Sequence, residues 1–364
     1  MPESLSAIAR RAPRTLGTLL LAWLAARAAV ALGLPMPWMI GPLLATALAT
    51  LAGAPTHSEA ALRNAGQWAI GAALGLYFTP EVTRLVLSLW WPVALGIDWA
   101  LLLGLGFGLV LRGALGADLQ GWSAAETRAT MYFSGAVGGA SEMTLLAERC
   151  GARTDLVAAA HSVRMAMAVL SVPLAMQWAK QHWQLQALDV APPAARVAEW
   201  PGVLWLALAT GAGAALMRLT GRANPWFIGP LLAAMGLTMA DVHLSSVPTA
   251  LTNAAQLVIG VSLGVRFTRR FLQAAPRWLA AAAPDTLAMI GASALFGAAL
   301  AWASGLHPVT LMLATAPGGI AEMAITAKVL QLGMAVVTAF QVCPLVAVLL
   351  LAEPIYRRWV MPRE

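Results

Sequence analysis

Charge is what this chain has least of. Asp, Glu, Lys and Arg make up 11% of its 364 residues, against about 25% in an average globular chain. Lysine is nearly missing, present only as Lys180 and Lys328. Hydrophobic residues reach 60% and mean hydropathy is +0.73. So few charges cannot cover a water-soluble surface, because wide apolar faces would stay exposed. A soluble globular protein is excluded. Cysteine is almost as scarce: Cys150 and Cys343 lie in or beside apolar segments, with no CxxC or Cys/His spacing. That excludes a disulfide framework and a zinc site. The five histidines, His57, His161, His182, His243 and His307, never place two on one helical turn. No metal and no cofactor is therefore expected. A glycine-rich loop with the lysine that grips nucleotide phosphates is also missing, so nothing points to ATP. The net charge of +7 is not gathered on a polar domain interleaved with aromatics, which argues against nucleic acid as a partner.

What fills the chain is apolar runs of span length. They predict an all-α polytopic membrane protein, with the lipid bilayer as its first partner. Arg10, Arg11 and Arg14 precede the run 15–34 and resemble the start of a signal peptide. The run is long enough to span and others follow it, so a retained first helix is expected.

The chain is duplicated. Pro37-Trp-Met-Ile-Gly-Pro-Leu-Leu44 returns as Pro225-Trp-Phe-Ile-Gly-Pro-Leu-Leu232. Asn64-Ala-Gly-Gln67, with Gly71, Gly75, Phe78 and Thr79 following, returns as Asn253-Ala-Ala-Gln256 with Gly260, Gly264, Phe267 and Thr268. Gly138-Gly-Ala-Ser-Glu-Met143 returns as Gly318-Gly-Ile-Ala-Glu-Met323. The expected organisation is a tail at 1–14, a first repeat at 15–180, a linker at 181–200, a second repeat at 201–352 and a tail at 353–364.

Each half holds six apolar segments, two of them abnormal: the short Pro-Trp segment with its second proline, and the Gly-Gly segment with its acid. Loop cations indicate how many cross. Arg27 and Arg164 lie inside segments; if the Gly-Gly segments re-enter without crossing, the other Lys and Arg divide 17 to 4 in favour of the cytoplasmic side. The four outside are Arg84, Lys180, Arg196 and Lys328. Letting all twelve segments cross gives 11 to 10. Positive residues favour the cytoplasm, so the expectation is two inverted repeats of five crossings, with both termini cytoplasmic.

Four of the 16 acids fall within apolar segments, as two repeat-related pairs: Asp98 with Asp285, and Glu142 with Glu322. Such acids usually face a cavity, a partner or a conduction path; the plainer alternative is an acid tethering helices near an interface. The glutamates stand beside Gly138-Gly139 and Gly318-Gly319, which can unwind a helix, and Pro317 frees a carbonyl by lacking an amide donor. Irregular backbone at membrane depth survives only inside protein or along a watery cavity. Two such breaks make a site for a small solute and a coupling ion, the alternative being glycines used for close helix packing. Gln67 and Gln256 are expected to line the same cavity or to bridge helices. His161 and Arg164 share one helix face and align with Gln341 and Pro344 of the second half, which breaks the symmetry. Arg164 is a counter-ion for Glu142, an anion-binding group, or a snorkelling cation.

These doubled motifs, PW-(M/F)-IGPLL, NA-(G/A)-Q and GG-x-x-EM, resemble the AbrB-type integral membrane proteins of bacteria over about residues 15–352. These are unrelated to the small soluble DNA-binding regulators of the same name. The resemblance implies a multi-pass inner-membrane protein. By analogy it also implies a fold like that of the cation/proton antiporters and anion transporters, whose inverted repeats cross unwound helices at a central site. One departure stands out: Val137 precedes Gly138 where the second copy has Pro317. The expected function is secondary transport of a small solute by alternating access, not enzymatic catalysis. Glu142 and Glu322 would exchange a cation, a proton before others, with Asp98 and Asp285 assisting; Arg164 favours an anionic or zwitterionic solute. A homo-oligomer fits the class. The alternatives are a membrane sensor influencing gene expression and, further off, a membrane-bound monooxygenase.

Overall fold

The computed structural model describes residues 5–116, 121–182, 198–221, 224–242, 244–274 and 276–361. Most of the linker expected at 181–200 lies outside them, as do the first four and last three residues. The described residues are helical, with no strand among them. The first half folds into α1 (Leu5–Ala31), α2 (Pro37–Ala52), α3 (Ala60–Gly75), α4 (Pro80–Ser88), α5 (Trp90–Ala114), α6 (Ala124–Gly135), α7 (Ala140–Arg149) and α8 (Thr154–His182). The second half repeats the series as α9 (Trp200–Leu219), α10 (Pro225–Met239), α11 (Thr249–Gly264), α12 (Arg269–Ala274), α13 (Pro276–Ser304), α14 (Pro308–Thr315), α15 (Ile320–Leu330) and α16 (Met334–Ile355). A π-helical turn, Tyr356–Val360, follows.

Six helices are long and apolar enough to cross a membrane: parts of α1 and α8, all of α5, α9 and α13, and Met334–Val360. Their exposed faces are apolar, with Leu102 and Leu109 on α5 and Leu204 and Leu208 on α9 turned outward, as a lipid solvent requires. α2, α10 and α11 are apolar but shorter. Sixteen residues in α2 reach about 24 Å, less than the roughly 30 Å of a hydrocarbon core.

Two helices run on into the stretches expected as tails. The helix α1 starts at Leu5, inside the stretch expected to be a tail, and the C-terminal helical segment runs to Val360. Hydropathy marks where a helix meets lipid, not where it ends. Arginine is a good helix former, so a helix continues through its polar end.

The described residues fall into two compact units, and each draws on both repeats. One comprises Met1–Thr83 with Ala191–Ala274, the other Arg84–Val190 with Ala275–Glu364. In the first unit the duplicated motifs interlock crosswise. α2 packs on α11, and α10 packs on α3. Both Pro-Trp helices begin the same way: Met36 and Asn224 take left-handed φ of 49° and 50°, then proline occupies the first turn. There its missing N–H costs nothing and its fixed φ suits the helix. The glycines of α3 and α11 let backbone meet backbone. A Cβ on Gly260 would lie 2.5 Å from the Met39 carbonyl oxygen, and one on Gly264 would lie 2.7 Å from that of Leu43. In the other pair, Gly71 abuts the Phe227 carbonyl and Gly75 that of Leu231. The glycine face that follows each glutamine is therefore a helix-packing surface.

The second unit is built on the long helices α5, α8, α13 and α16. α5 holds α6 where Gly104 faces Gly135 and Ala136, and α13 holds α14 where Gly297 faces Leu311 and Met312. Its core joins Phe133, Tyr132 and Met143 to Val157, Val348 and Tyr356. The Tyr132 hydroxyl donates to the Ala352 carbonyl at 2.9 Å.

Candidate functional site

Both Gly-Gly segments are broken helices. α6 starts on Ser123, whose hydroxyl accepts from the Glu126 amide, as expected of a Ser-x-x-Glu capping sequence. It stops at Gly135, and α7 restarts at Ala140; α14 stops at Thr315, and α15 restarts at Ile320. The backbone leaves α6 at Ala136 with φ −49° and ψ 130°, and leaves α14 at Ala316 with −60° and 137°. It re-enters through Gly139 and Gly319, both extended. Val137 in place of proline therefore leaves the break as it is in the second copy.

The glycines serve close approach, since Gly139 and Gly319 keep negative φ. Met143 folds back over Gly138, its Cε 2.9 Å from where a Cβ would stand; Met323 covers Gly318 in the same way at 2.6 Å. The Glu322 carboxylate curls back over Gly319, in a place that any Cβ would occupy. In the second copy each fixed residue of the Gly-Gly-x-x-Glu-Met motif thus has a task. The first glycine admits the methionine, the second admits the glutamate, and the glutamate stands in the first turn of the new helix. Glu322 is buried, and its main-chain carbonyl accepts from Thr326. Glu142 holds the matching place in α7; its side chain lies outside the described residues.

A broken helix strands its last carbonyls. In α6 they are met from α8. Arg164 donates to the carbonyls of Gly135 at 3.1 Å, Ala136 at 3.0 Å and, more weakly, Ser134 at 3.4 Å. It also donates to Nδ1 of His161 at 2.7 Å. A guanidinium can only donate, so Nδ1 is an acceptor and the His161 proton sits on Nε2, which faces the Phe133 carbonyl at 2.9 Å. Both nitrogens of the neutral ring are engaged. Arg164 and His161 are 4% and 2% exposed; the guanidinium lies against the negative end of a helix dipole, which favours a cation there.

In the second copy, Gln341 on α16 does this work without charge. Its Nε2 donates to the carbonyls of Ala314 at 2.8 Å and Ala316 at 3.0 Å. Gln341 was not expected in the site. Its signal was the same 180-residue offset that relates the glutamates, linking it to His161. The N-terminal ends of α7 and α15 begin on glycines, Gly139 and Gly319, which bring no capping side chain of their own.

The remaining residues divide. Asp285 is buried in α13, while its counterpart Asp98 is exposed on α5. Both belong to the second unit, with the glutamates, His161 and Arg164. Gln67 and Gln256 belong to the first unit, half-buried on α3 and buried on α11. Among the described residues, no three His, Cys, Asp or Glu gather where they could hold a metal ion.

Comparison with known proteins sets this arrangement in context. A family model described as "Transition state regulatory protein AbrB" matches residues 38–360. The uncharacterised protein YhjN of Bacillus subtilis (strain 168) is 28% identical over 350 residues, covering 89% of this chain and 88% of that one. A protein of Escherichia coli (strain K12), named as the candidate regulator AbrB, is 26% identical over 339 residues, covering 90% and 91%.

Proposed function

The chain belongs to the AbrB family, and from that premise we propose that it is a secondary transporter working by alternating access. It would carry a small anionic or zwitterionic solute across the bacterial inner membrane, coupled to a cation gradient, with the proton as the coupling ion. The observation that carries the proposal is the pair of broken helices within one unit. Their carbonyl ends are already satisfied, by Arg164 and His161 in one copy and Gln341 in the other. Their amide ends start on glycines, which bring no capping side chain of their own, and each has a glutamate in its first turn. Helix N-termini bind anions through oriented N–H groups and the helix dipole. The Glu322 carboxylate lies over that end of its own helix. A solute anion must compete with it, and a proton on the glutamate removes the competitor. Proton and anion then bind together, which is the thermodynamic root of coupling.

Purified protein in proteoliposomes, driven by a pH gradient, tests this. The solute would first be found by a metabolite screen that reads thermal stabilisation at several pH values. Glu142→Gln and Glu322→Gln are expected to retain solute binding and lose gradient-driven uptake. Flux that persists unchanged in both variants would sink the assignment. A second reading draws on the name of the Escherichia coli relative, a candidate regulator: a membrane sensor that binds solute and passes a signal on. Saturable binding without flux under any gradient would decide for it.

A further inference from the structure

One buried acid lies outside the broken helices. Asp285 stands on α13, between Pro284 and Thr286, and is 6% exposed. Its Oδ2 is fully buried and has no hydrogen-bond partner. The helices packed on α13 are α5, α8 and α14. α5 contributes Asp98 and Arg112, and α14 contributes no titratable group. α8 brings Asp155, His161 and Arg164 along its length, with Lys180 and His182 at its far end. His161 and Arg164 are engaged with each other and with the carbonyls of residues 133–136. Asp155 takes Arg153, and His182 meets the Trp178 carbonyl. Among the described residues, none makes an ion pair with Asp285.

A buried carboxylate with nothing to balance it takes up a proton rather than stay charged. A metal cation would need several oxygen ligands, and among the described residues no three His, Cys, Asp or Glu gather where they could hold one. A proton needs one lone pair. The repeat mate Asp98 is exposed and shares none of this.

We propose that Asp285 is a second proton-binding site, separate from the helix breaks and absent from the first repeat, which must be neutral for α13 to pack as it does. Its proton leaves only when α13 opens to water. Resting on the transport reading above, this adds to the protonation of the glutamates a second pH-dependent step, carried by one residue in one half of a duplicated molecule.

The test uses purified full-length protein in detergent and follows melting temperature from about pH 5 to about pH 9. The sign is set by linkage: the folded state holds a proton that the unfolded chain releases, so wild-type stability falls as pH rises. Asp285→Asn keeps the shape of a neutral acid and is expected to flatten that fall, melting at or above wild type at the alkaline end. Asp98→Asn is expected to keep the wild-type slope. An Asp285→Asn slope equal to wild type would overturn the proposal. So would an Asp285→Asn protein that melts below wild type at the alkaline end, since a charged carboxylate would then be the stabilising form. Equal flattening in Asp98→Asn would overturn the asymmetry. Absence of flux in every protein would remove the transport reading alone, because melting needs no transport.

Discussion

Arg164 and Gln341 solve one problem with different chemistry. Each satisfies carbonyls left by a helix that stops inside the protein, but only Arg164 brings a charge. A buried acceptor left unpaired costs about 1–3 kcal/mol. Arg164→Ala strands several carbonyls and the His161 ring, so a loss of about 3 kcal/mol or more is expected. Gln341→Leu should lose about 1–3 kcal/mol. Denaturant or thermal unfolding in detergent measures both, and a costlier Gln341→Leu would contradict the ranking. Gly319 offers a subtler test. A Cβ there displaces the Glu322 carboxylate but meets no fixed backbone. Gly319→Ala should therefore fold, bind solute and lose gradient-driven uptake as Glu322→Gln does, read in the same proteoliposomes.

Among helices, contact is set by where side chains are missing. Gly260 and Gly264 of α11 meet main-chain atoms of α2, which cannot yield as a flexible side chain can. Gly260→Val is expected to cost about 2 kcal/mol or more, within the range of overpacked cores. Gly291→Ala on α13, with nothing within 4 Å of its Cβ, should be neutral or slightly stabilising. Melting temperatures of the two variants decide, and equal values would argue against the α2–α11 contact. The helix breaks were legible in the sequence because they rest on local chemistry: Gly-Gly, an acid and a methionine within six residues. The capping of α6 by Arg164 was not, because it joins residues about thirty apart through a chosen rotamer. The crosswise pairing of α2 with α11 was hidden for a related reason. A glycine stripe announces that something packs closely, and does not say which helix.

At the scale of the chain, loop cations predict both termini on the cytoplasmic side and the linker at 181–200 on the other. Reporter fusions at each end and within the linker test this. A linker reporter that reads cytoplasmic would remove the five-crossing count. The duplication itself has a further consequence. Each compact unit takes helices from both copies, and the Pro-Trp helix of one copy rests on the glycine helix of the other. A half-length ancestor of this chain would have had no partner for that surface within itself. Before the gene doubled, it would have existed as two intertwined subunits exchanging helices, and fusion through the linker would have turned an association between molecules into a contact within one. Cutting the present chain between 181 and 200 should return it to that condition: two fragments that fail alone and assemble when made together.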